Sequence, residues 1–349
     1  MTVAIETGES TKTSKGGWSA FITEIVGTYG LVIVVVIMIA IFAILRPGTY
    51  LTATNLLSIA TSQSITALLA LAIVSVLIVG EFDLSFTAVF GMSQVLVIGL
   101  MADHHVFWPI ACLVGLAIGA VAGFANSYMT VRLQVSSFVT TLGISTILNG
   151  FSVGYSGGTI MTGKLSPTFS ALAQRAPLGV EMPIWYVLIV SVLLYILLEY
   201  TSTGRHMRAV GGNRAAARLA GISVRRAVTV AFLIAGLVSA FASIVSGSQL
   251  GSGQSLIAVG YLLPAYAGAF LGATTITPGR FNVWGTLVGV YLLGAGVSGL
   301  QQVGFDPWVQ DLFNGAVLML AVAVSGYLTR LRAGLRRAPA PPPQDKTAS

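Results

Sequence analysis

The sequence predicts an all-α fold, a polytopic membrane helical bundle of about 10 transmembrane helices with both termini cytoplasmic. Three observations carry this prediction. The 349 residues are 55% hydrophobic and only 8% charged, whereas a soluble globular domain carries about 25% charged residues. Mean hydropathy is +0.87, so the chain has more apolar surface than a water-soluble fold of this length can hide, and lipid must cover it. The basic residues are also segregated. Ten of the 18 fall within 205–226 and 330–337, the pattern of segments retained on the cytoplasmic side.

A span needs about 20 apolar residues. Suitable runs recur near 25–45, 62–80, 85–101, 107–130, 134–150, 183–200, 227–247, 256–273, 283–302 and 309–328. Thr52 to Ser58 reads as a short interfacial helix capped by Thr52 or Thr54. Residues 1–24 are polar at their start and lack the apolar core of a signal peptide. They are expected to be a cytoplasmic segment ahead of a retained first span. The membrane domain is expected over 25–328, and 329–349 form a basic, then Pro-rich, cytoplasmic tail.

Orientation follows from arginine. Arg205, Arg208, Arg214, Arg218, Arg225 and Arg226 crowd the loop 201–226, and Arg330, Arg332, Arg336 and Arg337 follow the last run. Both segments belong inside. Ten spans also put Arg132 and Arg280 inside, and the Asp103 and Asp306 loops outside. The loop 151–182 then lies outside. The turn at 80–85 is very short, so a broken or re-entrant span is the alternative there.

The net charge of +7 is topological and does not mark a nucleic-acid groove. The single cysteine, Cys112, sits in an apolar run, and no zinc spacing exists. His104 and His105 read as a solvated turn beside Asp103, so no metal is expected. Gly158 to Lys164 matches seven positions of a phosphate-binding loop. Leu165 stands where that motif needs Ser or Thr for magnesium, and the segment lies outside, so nucleotide is not expected on this chain.

Gly115, Gly119 and Gly123 repeat every four residues, as do Gly285 and Gly289. Such spacing lets helices approach closely, either within the bundle or at a subunit interface. Gly80-Glu81-Phe82-Asp83-Leu84-Ser85 sets two carboxylates at a break between apolar runs, where charge marks a pathway or a structural partner. In the 201–226 loop, Gly211-Gly212-Asn213 is a turn signal and Asn213 a good N-cap. Arg214 to Leu219 then favours a short helix, and Gly221 falls at the usual C′ position. A small rigid helix with Ala215, Ala216 and Ala217 on it is what a cytoplasmic motor can grip. A plain basic loop is the bland alternative.

That loop, with its Gly-Gly-Asn, paired alanines and Gly221-Ile222-Ser223-Val224, resembles the coupling region of ribose/xylose/arabinose/galactose-type ABC permeases. The resemblance extends to Gly247 through Gln254, Gly260-Tyr261, Phe270-Leu271-Gly272 and Pro278 through Gly289. Asp83-Leu84-Ser85 looks like that family's Gly-Ile-Asp-Leu-Ser segment, and the similarity runs over most of 50–328. The sequence departs from it at Glu81, where the family usually has Gly, and at Phe86-Thr87, where it often has Val-Gly. If that turn touches solute, the added carboxylate favours a cationic or more polar one.

The resemblance implies a permease subunit of a bacterial importer, multi-pass in the inner membrane. It would form the pathway for a monosaccharide or similar small polar solute. A second permease copy or paralogue, a separate ABC ATPase subunit and a periplasmic solute-binding protein are the implied partners, together with membrane lipid. ATP and magnesium would sit on the ATPase, so this chain would be no enzyme and carry no cofactor. Gly211, Gly212, Asn213, Ala216, Ala217, Gly221 and Ile222 would couple to the ATPase. Glu81, Asp83, Ser85, Asn149, Gln249, Ser252 and Gln254 are the translocation-pathway candidates, because hydroxyl and amide groups replace a polyol's water hydrogen bonds. The rival reading is an ion-coupled secondary transporter, which needs ionisable residues in mid-span. Here they are confined to Glu81, Asp83 and the span edges at Glu199 and Asp311.

Overall fold

Backbone polar groups within hydrocarbon must be satisfied internally, and this chain does so with helices. The computed structural model describes residues 32–255, 257–277 and 279–335. Along the chain come α1 (Val32–Leu45), α2 (Ala53–Ser62), α3 (Ser64–Ile78), α4 (Phe86–Ala102) and α5 (Trp108–Ser127). Next are α6 (Ser137–Ser156), α7 (Pro167–Gln174), α8 (Met182–Tyr195), α9 (Ser202–Gly212) and α10 (Arg214–Leu219). The last four are α11 (Val224–Leu250), α12 (Leu262–Gly272), α13 (Val283–Val303) and α14 (Pro307–Leu335). Two-residue strands, β1 (Met161–Thr162) and β2 (Ser252–Gly253), pair antiparallel and tie the 151–182 loop to the end of α11.

Polar residues set the helix ends. Thr52 caps α2 by accepting from the Asn55 amide, and Asn282 caps α13 by accepting from Gly285. Gly251 ends α11 in the left-handed region that an L side chain rarely adopts. Single π-turns extend α5 through Arg132 and α8 through Tyr200.

A helix lies over each of the ten apolar runs, although only the part of the first from Val32 onward is described. Four helices among the described residues are long and apolar enough to cross a membrane singly. They are α5 and α8 with their π-turns, α11 and α13; a fifth crossing results if α2 and α3 count as one span bent by 46°. For α3 and α4 the short length goes with burial in protein, whereas α1 leaves Val34, Ile37 and Ile44 exposed. All fifteen residues of α3 are buried, and fifteen residues rise only about 22 Å, short of the ~30 Å hydrocarbon core. A helix wrapped by neighbours on every side needs no lipid-matched length. The expected 1–24 segment and the end of the tail lie outside the described residues, while α14 continues through Arg330 and Arg332.

The core is built where α3 and α12 meet α11 and α13. The glycine repeats serve this packing. Gly119 and Gly236 face each other's carbonyls where α5 crosses α11, and Gly123 lies against the Phe232 carbonyl. In the same way Gly285 meets Gly272, and Gly289 meets Gly268, where α12 crosses α13. No side chain fits in these crossings, so both repeats are spent inside the bundle.

Candidate coupling hub and solute spaces

The segment 201–226 is two helices. Thr201 caps α9 by accepting from the Gly204 amide, and α9 runs on through Gly211 and Gly212, where a turn was expected. The turn falls at Asn213, whose Oδ1 accepts from the Ala216 amide at 3.0 Å and so starts α10. At its other end the Gly221 amide donates to Arg218 O at 3.0 Å and the Ile222 amide to Ala217 O at 2.9 Å. This is a Schellman closure, and Gly221 with φ +76° permits it. Ala217 points inward and is buried in the core, which corrects its expected place on the gripping face. The outward side presents Ala215, Ala216 and, above all, Leu219, which is 92% exposed. Ile222 packs partly against the core, and Gly212 has open space beside it.

Gly211 fits directly against the Ile78 carbonyl at the end of α3, with no room for a methyl group. One residue into α10, Arg214 forms an ion pair with Glu81. Two sites that looked separate in sequence are therefore one. Glu81 is accounted for by Arg214, which removes the ground for expecting a cationic solute.

The Gly80–Ser85 turn ties together the neighbouring helices. The Phe82 amide donates to Ser137 Oγ at 3.2 Å, and the Leu84 amide to Thr141 Oγ1 at 3.0 Å, both on α6. The Tyr266 hydroxyl on α12 donates to Asp83 O at 2.6 Å. Asp83, 2% exposed, accepts at Oδ1 from the Ser85 amide (2.8 Å) and hydroxyl (2.7 Å). Ser85 Oγ in turn accepts from Asn126 Nδ2 at 2.7 Å. Burial pushes the Asp83 carboxyl above its usual range, against hydrogen bonds from Ser85 and Phe86 that pull it down. The acceptor matters here more than the charge. Asp83→Asn keeps that acceptor and should transport within about threefold of the parent. Asp83→Ala strands the Ser85 amide and hydroxyl donors at ~1–3 kcal/mol and should reduce folded protein in the membrane. Equal loss in both variants, read from uptake and membrane level, would show that the charge itself is needed.

The other pathway candidates are dispersed. Asn149 lies half-buried on α6. Ser252 is held in the β1–β2 pairing with Thr162, and the Gln254 amide donates to Gln94 Oε1 at 3.4 Å above α4. Gln249 lines an open groove. That groove, about 460 Å³, is walled by Thr54, Ser58 and Thr61 of α2 together with Ser62, Glu181 and Gln249. Thr54, Ser58 and Thr61 follow helical spacing, a hydroxyl stripe that sequence reasoning missed although the spacing was visible.

A second, inner cavity of about 190 Å³ lies between the α2–α3 break, the turn before α12, α13 and α14. Ser62 lines both spaces. The fully buried α3 thus runs from the inner cavity at its start to the Glu81–Arg214 pair at its end.

Long apolar helices, a buried polar hub and uncharged inner space define a multi-pass membrane transport protein. The chain belongs to the family described as "Branched-chain amino acid transport system / permease component", whose profile matches residues 55–322. It is similar to the "Ribose import permease protein RbsC" of Escherichia coli (strain K12), 32% identical over 298 residues, covering 84% of this chain and 91% of that one. The RbsC of Bacillus subtilis (strain 168) is 32% identical over 82% of this chain and 88% of its own. The "L-arabinose ABC transporter permease protein AraH" of Azospirillum brasilense is 29% identical over 90% and 91%. No solved structure matches. As a permease component, the chain is a transport subunit and not an enzyme.

Proposed function

We propose that the chain is the membrane-spanning permease of a bacterial ABC importer for a monosaccharide or similar small polar solute. It crosses the inner membrane ten times with both termini cytoplasmic, and it pairs with a second permease copy or a paralogue. A separate ATPase binds ATP and magnesium, and a periplasmic binding protein delivers solute at the groove beside Gln249. The observation that carries the reading is α10, a capped and closed helix that projects Leu219 and is latched to the transmembrane hub through Arg214 and Glu81. Similarity to permeases named for ribose and L-arabinose supports a sugar, as does a cavity lining with no charged side chain.

In this mechanism ATPase closure pulls on α10. Gly211 against Ile78 and Arg214 on Glu81 pass the movement to α3. The other end of α3 borders the inner cavity, so its displacement changes the solute path. ATP binding thereby shifts the balance between two packings of one bundle. Glu81, Asp83 and Ser85 transmit force and do not touch solute.

Affinity purification from detergent, with mass spectrometry of what accompanies the chain, tests this. An ABC ATPase should co-purify and be lost on combined substitution of Gly212, Ala216 and Gly221. If the chain purifies alone and its proteoliposomes accumulate solute under an ion gradient without ATP, the secondary-transporter reading replaces this one.

A further inference from the structure

The inner cavity is lined by uncharged polar side chains, four of which have no hydrogen-bond partner among the described residues. Thr66 is 5% exposed and Asn314 3% exposed, and both line the cavity with Gln63, Tyr261, Ser62 and Gln310. Hydrogen bonds among the described residues engage Ser62, with Ile59 O, and Gln310, with Gln301. None engages the side chains of Gln63, Thr66, Tyr261 or Asn314. Buried amides and hydroxyls are nearly always satisfied, so these side chains call for hydrogen-bond partners, water or a polar solute, within the cavity. Its ~190 Å³ is roughly twelve times the ~15 Å³ that one buried water needs by the same measure.

The chemistry of the wall selects the occupant. Amide and hydroxyl groups each both donate and accept, or combine to do so, which matches the hydroxyls of a polyol. Val290, Leu293 and Val297 offer an apolar side for a sugar's C–H face. An amino acid would bring a buried ammonium and carboxylate into a space without a counter-charge, at a heavy desolvation cost. Gly294 shapes the space, because a methyl there would collide with the Gln63 side chain. Ser62 borders both this cavity and the groove that holds Gln249, at the 46° break between α2 and α3.

We propose that this cavity is a sugar-binding station one step inside the groove, where Thr66 and Asn314 hold hydroxyls of a neutral pentose or hexose in transit. The proposal rests on the permease reading above and deepens it. Its position at the start of α3, opposite the Glu81–Arg214 latch, makes it the part of the path that the ATPase moves.

The test uses the full importer in native membrane vesicles. Cys112 is the sole cysteine and lines neither space, so Cys112→Ser gives a silent background for Asn314→Cys. Labelling by a small water-soluble methanethiosulfonate is followed with D-ribose, L-arabinose, D-allose or L-leucine present. Any sugar that the parent importer takes up should slow labelling about tenfold, and L-leucine should not. Separately, Thr66→Val and Asn314→Leu should each cut sugar uptake about tenfold at unchanged membrane level and ATPase co-purification. Absence of labelling, or labelling that an imported sugar does not slow, overturns the station while the permease reading stands. Uptake of L-leucine with protection by L-leucine overturns the sugar chemistry. A parent importer that takes up none of the three sugars removes the solute class on which both readings rest.

Discussion

Leu219→Asp is expected to abolish coupled uptake, lowering it by at least tenfold, while the permease still reaches the membrane at its normal level. The side chain is 92% exposed at the end of a six-residue helix, so its loss costs the isolated bundle little. In the assembled importer a leucine that enters a groove on the ATPase contributes ~1.5–3 kcal/mol, and a carboxylate there adds a desolvation penalty. Affinity should fall ten- to a hundredfold on this account. ATPase co-purification and solute-stimulated ATP hydrolysis in proteoliposomes measure it. Unimpaired uptake by Leu219→Asp would remove α10 as the docking element.

Reversal of the Arg214–Glu81 pair should separate assembly from transport. Arg214→Glu sets two carboxylates together, one of them buried, where charge needs a partner. Because Arg214 is itself partly exposed, screening holds the cost near ~1–2 kcal/mol. Uptake should drop about tenfold while the ATPase stays bound, since the docking face of α10 is untouched. The double variant Glu81→Arg with Arg214→Glu restores opposite charges and should recover most of the uptake. Each single variant and the double behaving alike would show that the pair is incidental to force transfer. Rescue belongs to a direct interaction, because independent sites simply add.

Much of the fold was legible because its determinants are local. Run length and arginine placement located helices across the chain, including the part of the first run from Val32 onward. Asn213 and Gly221 announced the ends of α10 through hydrogen bonds that span only three to five residues. Thr52 did the same for α2. By contrast, α9 looked like a loop because its helical spacing is interrupted by polar and glycine residues, and packing against the end of α3 decides its state. The inward turn of Ala217 depends on which side of α10 the bundle covers.

The site divides in the same way. Glu81, Asp83 and Ser85 stood out as polar groups at a break in apolar sequence, but their partners did not. Arg214 is 133 positions from Glu81, and Tyr266 is 183 from Asp83. The inner cavity draws on residues near 62, 261, 294 and 314, which no spacing rule connects. The sequence by itself determined an α-helical membrane protein, the places of its helices and the caps of its short cytoplasmic helix, because hydropathy and capping act within a few residues. Only the tertiary structure decided that the acidic turn latches α10 and that uncharged groups from five helices line a common space. Those outcomes depend on how closely glycine crossings let distant helices approach.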